Sequence, residues 1–391
     1  MKGGTQLWPG GQIKTYLDGE WHDGAIPLIS SVDLGGWLGA CCFDGGRFFR
    51  GTIPDLDQHC GRLCQSAAVL GMTPPVTPKE VLQVVVDGCR LSDPENETSG
   101  RMFYVRPFMW SSGIADWTAL PVPSSKPEHC RFAVTIEELP TVLPGAPPPP
   151  LPKMTVCYEM RKCNLSCAPT NAKMPGLYPQ YGKMQLWANG RGFQKVLGLD
   201  AHGNVAETES ANVFMVKDRV VYTPVPNGTF LNGITRRRVI KLLRAAGVRV
   251  VEATLFPSDF ANADEIFTTG NIGKVGGVGW LDERNLCPDG KPGPITLQAK
   301  GLYDDWAKDK SLDYMQGLQT VEHELESTAS SSAAAPSGEA GAGGAPPRTK
   351  TAASGAAAAS ASRLSFEAGV LVGGSLALMG FLAGALRSSK R

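Results

Sequence analysis

Between residues 171 and 236 the chain gathers side chains able to do covalent chemistry on a carbonyl carbon. Asn171-Ala-Lys-Met-Pro-Gly-Leu-Tyr178 sets Lys173 five residues before Tyr178. A lysine amine freed of its proton attacks aldehydes and ketones, and burial lowers its pKa enough for that. Lys162, Lys183 and Lys195 offer the same amine nearby. Gly203-Asn-Val-Ala-Glu-Thr-Glu-Ser-Ala-Asn-Val-Phe214 then supplies two carboxylates, Glu207 and Glu209. Each reads equally as a solvated loop acid or as a fixed charge. Gly233-Ile234-Thr235 opens a helical pattern, where unpaired N–H groups and the positive end of the helix dipole suit an anion; an ordinary turn with a Thr N-cap has the same composition. Arg62 has the planar fork that grips two anionic oxygens, although an arginine near a helix end is usually a surface charge.

These residues need elements to hold them. Short apolar runs at 13–17 and 132–136, with a turn at Asp18-Gly19, predict strands interleaved with helices over the first part of the chain. Leu56, Cys60, Leu63, Cys64, Ala67, Ala68 and Leu70 recur at helical spacing and predict one buried face, flanked by His59 and Arg62. Pro144-Gly-Ala-Pro-Pro-Pro-Pro-Leu-Pro152 cannot continue a helix or an inner strand and reads as a semi-rigid connector. Beyond it, Val213–Val216 and Val220–Thr223 form a strand pair, and a helix runs from Thr235 to a stop at Gly247. The expected organisation is an N-terminal domain over 1–143, a connector over 144–152 and a larger domain over 153–325. A Ser-, Ala-, Gly- and Pro-rich stretch over 326–363 is too poor in large apolar groups to fold and reads as a tether. The uncharged apolar run from Ala368 to Leu386 has about the length of a bilayer core and is followed by basic residues, so 366–387 reads as a transmembrane tail anchor.

Lys and Arg number 38 against 37 Asp and Glu, for a net charge of +1, which gives no global field toward nucleic acid. Small polar substrates suit such a surface better. Ten cysteines occur without a Cys-x-x-Cys pair, and the N-terminus lacks a secretory apolar run. Reduced thiols facing the cytosol and no structural metal are therefore expected.

Asn171-Ala-Lys173 followed by Tyr178, Glu207 five residues before Asn212-Val-Phe214, and Leu231-Asn-Gly-Ile-Thr-Arg236 together resemble the branched-chain aminotransferase family. Phe43-Asp-Gly45, Asp55-Leu-Asp-Gln-His-Cys-Gly-Arg-Leu63 and Tyr104-Val-Arg-Pro107 extend the resemblance upstream in the same order. Separated motifs in order are far more specific than any one alone. The resemblance implies an α+β, two-domain, fold-type IV enzyme: a small N-terminal α/β domain, a larger barrel-like β domain with helices, and pyridoxal 5'-phosphate between them. It makes Lys173 the catalytic, Schiff-base lysine. Tyr178 would meet the cofactor's phenolic oxygen, and Glu207 its pyridine nitrogen, beside Asn212. Gly233, Ile234, Thr235 and Arg62 would hold the phosphate, completed by the Thr268-Thr-Gly-Asn271 turn through Gly270 and Asn271. Tyr104 and Arg106 would border the substrate.

Two positions depart from the family. Leu38 stands where a tyrosine often lines the substrate pocket, and Asn271 stands where a small hydroxyl residue is common. Both touch substrate recognition more than cofactor handling. The activity implied is transfer of the amino group of leucine, isoleucine or valine to 2-oxoglutarate in a ping-pong cycle. A D-amino acid or amine transaminase and an aminodeoxychorismate-type lyase share the fold, and a catalytically silent scaffold tethered to a membrane is the non-enzymatic alternative. The resemblance also implies a homodimer. The tail implies a cytosol-facing enzyme on an organelle membrane, or a cytoplasmic one if the tail does not insert.

Overall fold

The computed structural model describes residues 11–95, 98–113, 122–140 and 149–318. The expected tether at 326–363 and apolar segment at 366–387 lie outside the described residues, as does most of the proline-rich connector. Among the described residues no helix is long and apolar enough to cross a membrane.

The N-terminal strands are β1 (Ile13–Leu17), β2 (Glu20–Asp23), β3 (Cys41–Phe43), β4 (Gly46–Phe49), β5 (Met102–Ser111) and β6 (Cys130–Leu139). They form one antiparallel sheet in the order β2-β1-β6-β5-β3, with β4 also paired to β5. Asp18 and Gly19 both take positive φ, as the tight turn from β1 to β2 demands. The short helix α1 (Leu34–Trp37) precedes β3, while α2 (Leu56–Val69) and α3 (Pro78–Ser92) supply the helical layer. On α2 the buried stripe is Leu56, His59, Cys60, Leu63 and Ala67. Ala68 falls on the exposed side of the expected stripe, and His59 on the buried side. The stripe packs on Phe48, Phe103, Val105 and Val85 in one core.

The later strands form two further sheets. In the first, β7 (Lys153–Arg161), β8 (Lys195–Leu199), β9 (Val205–Thr208), β15 (Trp280–Leu281) and β16 (Arg284–Asn285) follow the order β16-β15-β7-β8-β9. In the second, β10 (Asn212–Lys217), β11 (Val220–Pro224), β12 (Val250–Ala253), β13 (Glu265–Gly270) and β14 (Lys274–Val278) follow the order β12-β11-β10-β13-β14. Most pairings are antiparallel, and β11–β12, β7–β8 and β7–β15 are parallel. The expected strand pair at 213–223 is β10 and β11, turned by Asp218 and Arg219, both at positive φ. Helices α4 (Tyr178–Asn189), α5 (Ile234–Ala245), α6 (Pro257–Ala261), α7 (Pro294–Ala307) and α8 (Leu312–Gly317) complete the order.

Helices α5 and α7 cover the second of these sheets through Val239, Ile240, Leu243, Ile295 and Tyr303, around Phe214 and Phe267 stacked at 4.7 Å. Glu265 ties α7 to β13: its carboxylate accepts from the N–H groups of Ile295 at 3.0 Å and Thr296 at 2.8 Å, and from Thr296 Oγ1 at 2.7 Å. These are first-turn donors that α7 cannot satisfy internally. Glu265→Ala is therefore expected to lower the unfolding free energy by about 2–3 kcal/mol, because it strands buried donors. Urea titration followed by circular dichroism checks this, and an unchanged midpoint would show that water replaces the carboxylate without loss.

Candidate active site

A cavity of about 580 Å³ is lined from elements throughout the described fold. Lys173 reaches it from the loop before α4, and its main chain is pinned on both sides. Its N–H donates to Ser66 Oγ at 3.0 Å, and its carbonyl accepts from Phe43 N–H at 3.0 Å. Lys173 Nζ lies 2.9 Å from the Tyr178 hydroxyl and 4.8 Å from the Phe43 ring centre. Burial and the nearby Arg62 charge lower the Lys173 pKa, against the opposing pull of Asp44, Tyr104 and Glu207. More of the amine is thus neutral at neutral pH. Burial and Glu207 raise the Tyr178 pKa, so its hydroxyl keeps its proton.

The four lysines that the sequence left equivalent separate by place. Lys183 is exposed. Lys195 lines the cavity but faces Glu209 at 3.5 Å. Lys162 is fully buried: it donates to Glu207 Oε1 at 2.6 Å and to the Thr208 carbonyl at 3.0 Å, with the Tyr181 ring 3.7 Å away. Lys173 alone of the four combines the cavity with a tyrosine hydroxyl. The two glutamates separate likewise, because Glu207 lines the cavity whereas Glu209 turns to the Val196 N–H at 3.2 Å. Asn212 steadies Glu207 Oε2 at 3.1 Å and the Leu231 carbonyl at 3.0 Å.

At another part of the wall, Gly233 is the N-cap of α5, with Ile234 and Thr235 in its first turn. A β-carbon at Gly233 would collide with Asn212 Oδ1, so only glycine lets the helix start approach β10 this closely. Arg62 lines the cavity beside a buried Asp44, which it grips through Nε at 2.7 Å and Nη2 at 2.8 Å. His59 Nδ1 sits 2.7 Å from the same carboxylate. Burial pushes the Asp44 pKa up, but Arg62 and His59 more than reverse it and hold Asp44 well below the usual carboxylate range. The Asp44 pair fixes the guanidinium and leaves Nη1 for an incoming anion.

Gly270 and Asn271 line the cavity, as do Thr268 and Thr269. Tyr104 also lines it, packed against Gly45, where a β-carbon would strike the Tyr104 hydroxyl. Arg106 stands behind Tyr104, 5.0 Å from its ring centre and 3.3 Å from Glu137. Leu38 is an exposed residue at the end of α1. Neither Arg106 nor Leu38 lies on the cavity wall of this chain. Spacing along the chain does not mark the parts that Asp44, His59, Lys162 and Lys274 take around this cavity. Asp44 was within reach, since it is the centre of Phe43-Asp-Gly45. Nothing in spacing links Lys162 to Glu207, 45 residues apart.

With this geometry in view, comparisons place the chain among known proteins. The amino-transferase class IV family matches residues 41–279. A Methanocaldococcus jannaschii protein with a provisional branched-chain-amino-acid aminotransferase name is 30% identical over 75% of this chain and 96% of its own length. The branched-chain-amino-acid aminotransferase of Pseudomonas aeruginosa is 27% identical over 78% of this chain and 94% of its own. Among solved structures, an aminotransferase from Brucella abortus bound to the cofactor PLP is 40% identical with a TM-score of 0.67, covering 76% of this chain and 99% of that one.

Lys162 makes the sharpest structural prediction here. Removing one partner of a buried ion pair leaves the other charge uncompensated, which costs about 3–5 kcal/mol. Lys162→Met is expected to lose that much stability in urea unfolding, and Lys162→Arg distinctly less. Equal stability of Lys162→Met and the parent would mean that the pair contributes nothing.

Proposed function

This chain belongs to the class IV amino-transferases, and we propose that within them it transfers the amino group of leucine, isoleucine or valine to 2-oxoglutarate with pyridoxal 5'-phosphate as cofactor. The observation that carries the reading is the convergence on one cavity of Lys173 with Tyr178, of Glu207 held from behind by Lys162, and of Arg62 with the α5 N-terminus. The cavity has a nucleophilic amine, a fixed carboxylate and an anion-binding end, as this cofactor needs. Asn271 Nδ2 and Thr269 Oγ1, buried without a hydrogen-bond partner, also await an acceptor. Aliphatic substrates are supported by the names of the relatives and by Phe43, Leu151, Met174 and Leu177 on the wall.

When bound, pyridoxal phosphate supplies a conjugated ring able to hold the electron pair left when a substrate's α-carbon loses its proton. The protein's part is positioning and proton handling. Arg62, Ile234 and Thr235 would hold the phosphate through a guanidinium and helix-end N–H groups. Glu207, fixed by Lys162 and Asn212, would present a carboxylate to the ring nitrogen, and Tyr178 would donate its hydroxyl to the ring's phenolic oxygen. Lys173 Nζ, which burial favours in the neutral form, takes the α-proton and returns it. Pro149, Pro150, Leu151 and Pro152 add an apolar stretch to the wall. Tyr104, with Arg106 behind it, would orient the substrate, and Leu38 would act there only if a second copy brought it in.

We place two further features in the same reading. Exposed Val32, Trp37 and Leu38 give an apolar patch suited to a second copy of this chain. The uncharged run at 368–386 has the composition of a membrane anchor, which would leave the enzyme facing the cytosol on an organelle membrane.

Purified full-length protein is expected to show a visible cofactor band that leucine bleaches and 2-oxoglutarate restores, with band and turnover both lost in Lys173→Ala. A band indifferent to leucine would redirect the substrate toward D-amino acids, amines or lyase chemistry, and no band would overturn the enzyme reading. For the two further features, the full chain is expected to resist carbonate extraction from membranes, and a chain ended at residue 325 to be a soluble particle of twice its own mass by light scattering. Carbonate release would remove the anchor, and a particle of single mass the dimer.

A further inference from the structure

The turn from β13 to β14 ends at Lys274, the first residue of β14 and a cavity lysine that the reaction above does not use. Lys274 is 2% exposed and lines the same cavity as Lys173. Its Nζ donates to Asn271 Oδ1 at 3.1 Å. Its φ of 52° lies in the left-handed region, where glycine would be easier, so the fold holds a long cationic side chain at a position that disfavours one. By holding Oδ1, Lys274 sets the opposite edge of the Asn271 amide, and that edge is the donor without an acceptor. Thr269 Oγ1, on the same wall, and Arg47 Nε, behind the turn, are also buried without acceptors. Arg47 Nη1 donates to the Ile272 carbonyl at 2.9 Å, which fixes a further positive charge against the turn. Unmet donors backed by cations call for an anionic oxygen.

We propose that Lys274, held behind Asn271, adds a further cation to the phosphate-holding turn of the cofactor site, and that an arriving phosphate ester places a proton on Lys274. This rests on the reading that the cavity takes pyridoxal phosphate. Phosphate suits the turn because Lys274 lies close enough to His59, on the helix that carries Arg62, for their charges to interact. The groups that face Lys274 are Arg47 from β4, Asp55 and His59 from the start of α2, Tyr303 from α7 and Asn271 from its own turn. Asp55, the carboxylate among them, is also paired with Arg238. Burial and Arg47 push the amine down to about 7, against the pull of Asp55. A phosphate dianion arriving in this positive surrounding raises it again. Since the occupied value lies above the empty one, affinity is greatest below about pH 7 and weakens by up to about tenfold per unit as pH rises toward the occupied value.

The test strips the full chain of cofactor and titrates it with pyridoxal phosphate in phosphate-free buffers between about pH 6 and pH 9. Wild type is compared with Lys274→Met and Lys274→Arg. The ratio of wild-type to Lys274→Met affinity cancels titrations common to both, those of the cofactor and Lys173. That ratio is expected to be roughly tenfold or more near pH 6 and to shrink toward one near pH 9. Lys274→Arg, charged throughout, should keep its affinity at high pH. Calorimetry in two buffers of different protonation enthalpy should find close to one more proton taken up near pH 8 by wild type than by either variant, the protons exchanged by the cofactor and Lys173 being common to all three. A ratio that is the same at every pH, however large, would make Lys274 structural and overturn the proposal; if Lys274→Met does not fold, equal pH profiles for wild type and Lys274→Arg do the same. Wild type that binds no pyridoxal phosphate at any pH would refute the cofactor reading itself, whereas binding with a flat ratio refutes this inference alone.

Discussion

The charged groups around this cavity are largely withdrawn from water, and in such surroundings a charge needs a partner or tends to be lost. The cavity uses both outcomes. Asp44 is gripped by Arg62 and His59, and Glu207 by Lys162, so each carboxylate has an opposite charge within hydrogen-bond distance. Lys173 and Lys274 instead meet neutral partners, the Tyr178 hydroxyl and the Asn271 amide, and their amines are pushed toward the uncharged form. The same low-dielectric cavity thereby holds paired, charged carboxylates beside amines pushed toward the neutral form.

That division depends on placement that no single element supplies. Arg62 comes from α2, Glu207 from β9, Asn212 from β10, and the helix end from α5. Lys173 sits where these meet, because Phe43 and Ser66, both from the N-terminal half, hold its main chain from opposite sides. Further ties cross the same junction: Arg238 pairs with Asp55, and the Ile53 N–H donates to the Lys310 carbonyl at 3.0 Å. A change that loosened this seam would move the lysine relative to the start of α5 even with every site residue in place. Positioning errors of about 1 Å are enough to cost catalysis heavily.

Much of the fold and of the wall was legible along the chain. The hairpin at 213–223 and helix α5 follow from alternation, turn residues and helical spacing, which are local signals. The α2 stripe was nearly so: helical spacing found Leu56, Cys60 and Leu63, but it could not show that His59 turns inward, because only the buried Asp44 across the contact gives a histidine reason to be there. Lys162 was visible only as one of several lysines; it follows β7, and its identity as the cation of Glu207 depends on β8 lying between β7 and β9.

The sequence by itself determined the order and spacing of the motifs, hence the family, the strand and helix segments, and the short list from which the site is drawn. These are properties of neighbouring residues, and the chain carries them before it folds. The tertiary structure decided which lysine faces the cavity, which of two glutamates is held there, that Arg62 is braced by Asp44, and that Lys274 stands behind Asn271. Each of those turns on a contact between residues far apart in sequence within a water-poor cavity, where distance and burial fix charge and direction, and neither leaves a trace in local spacing.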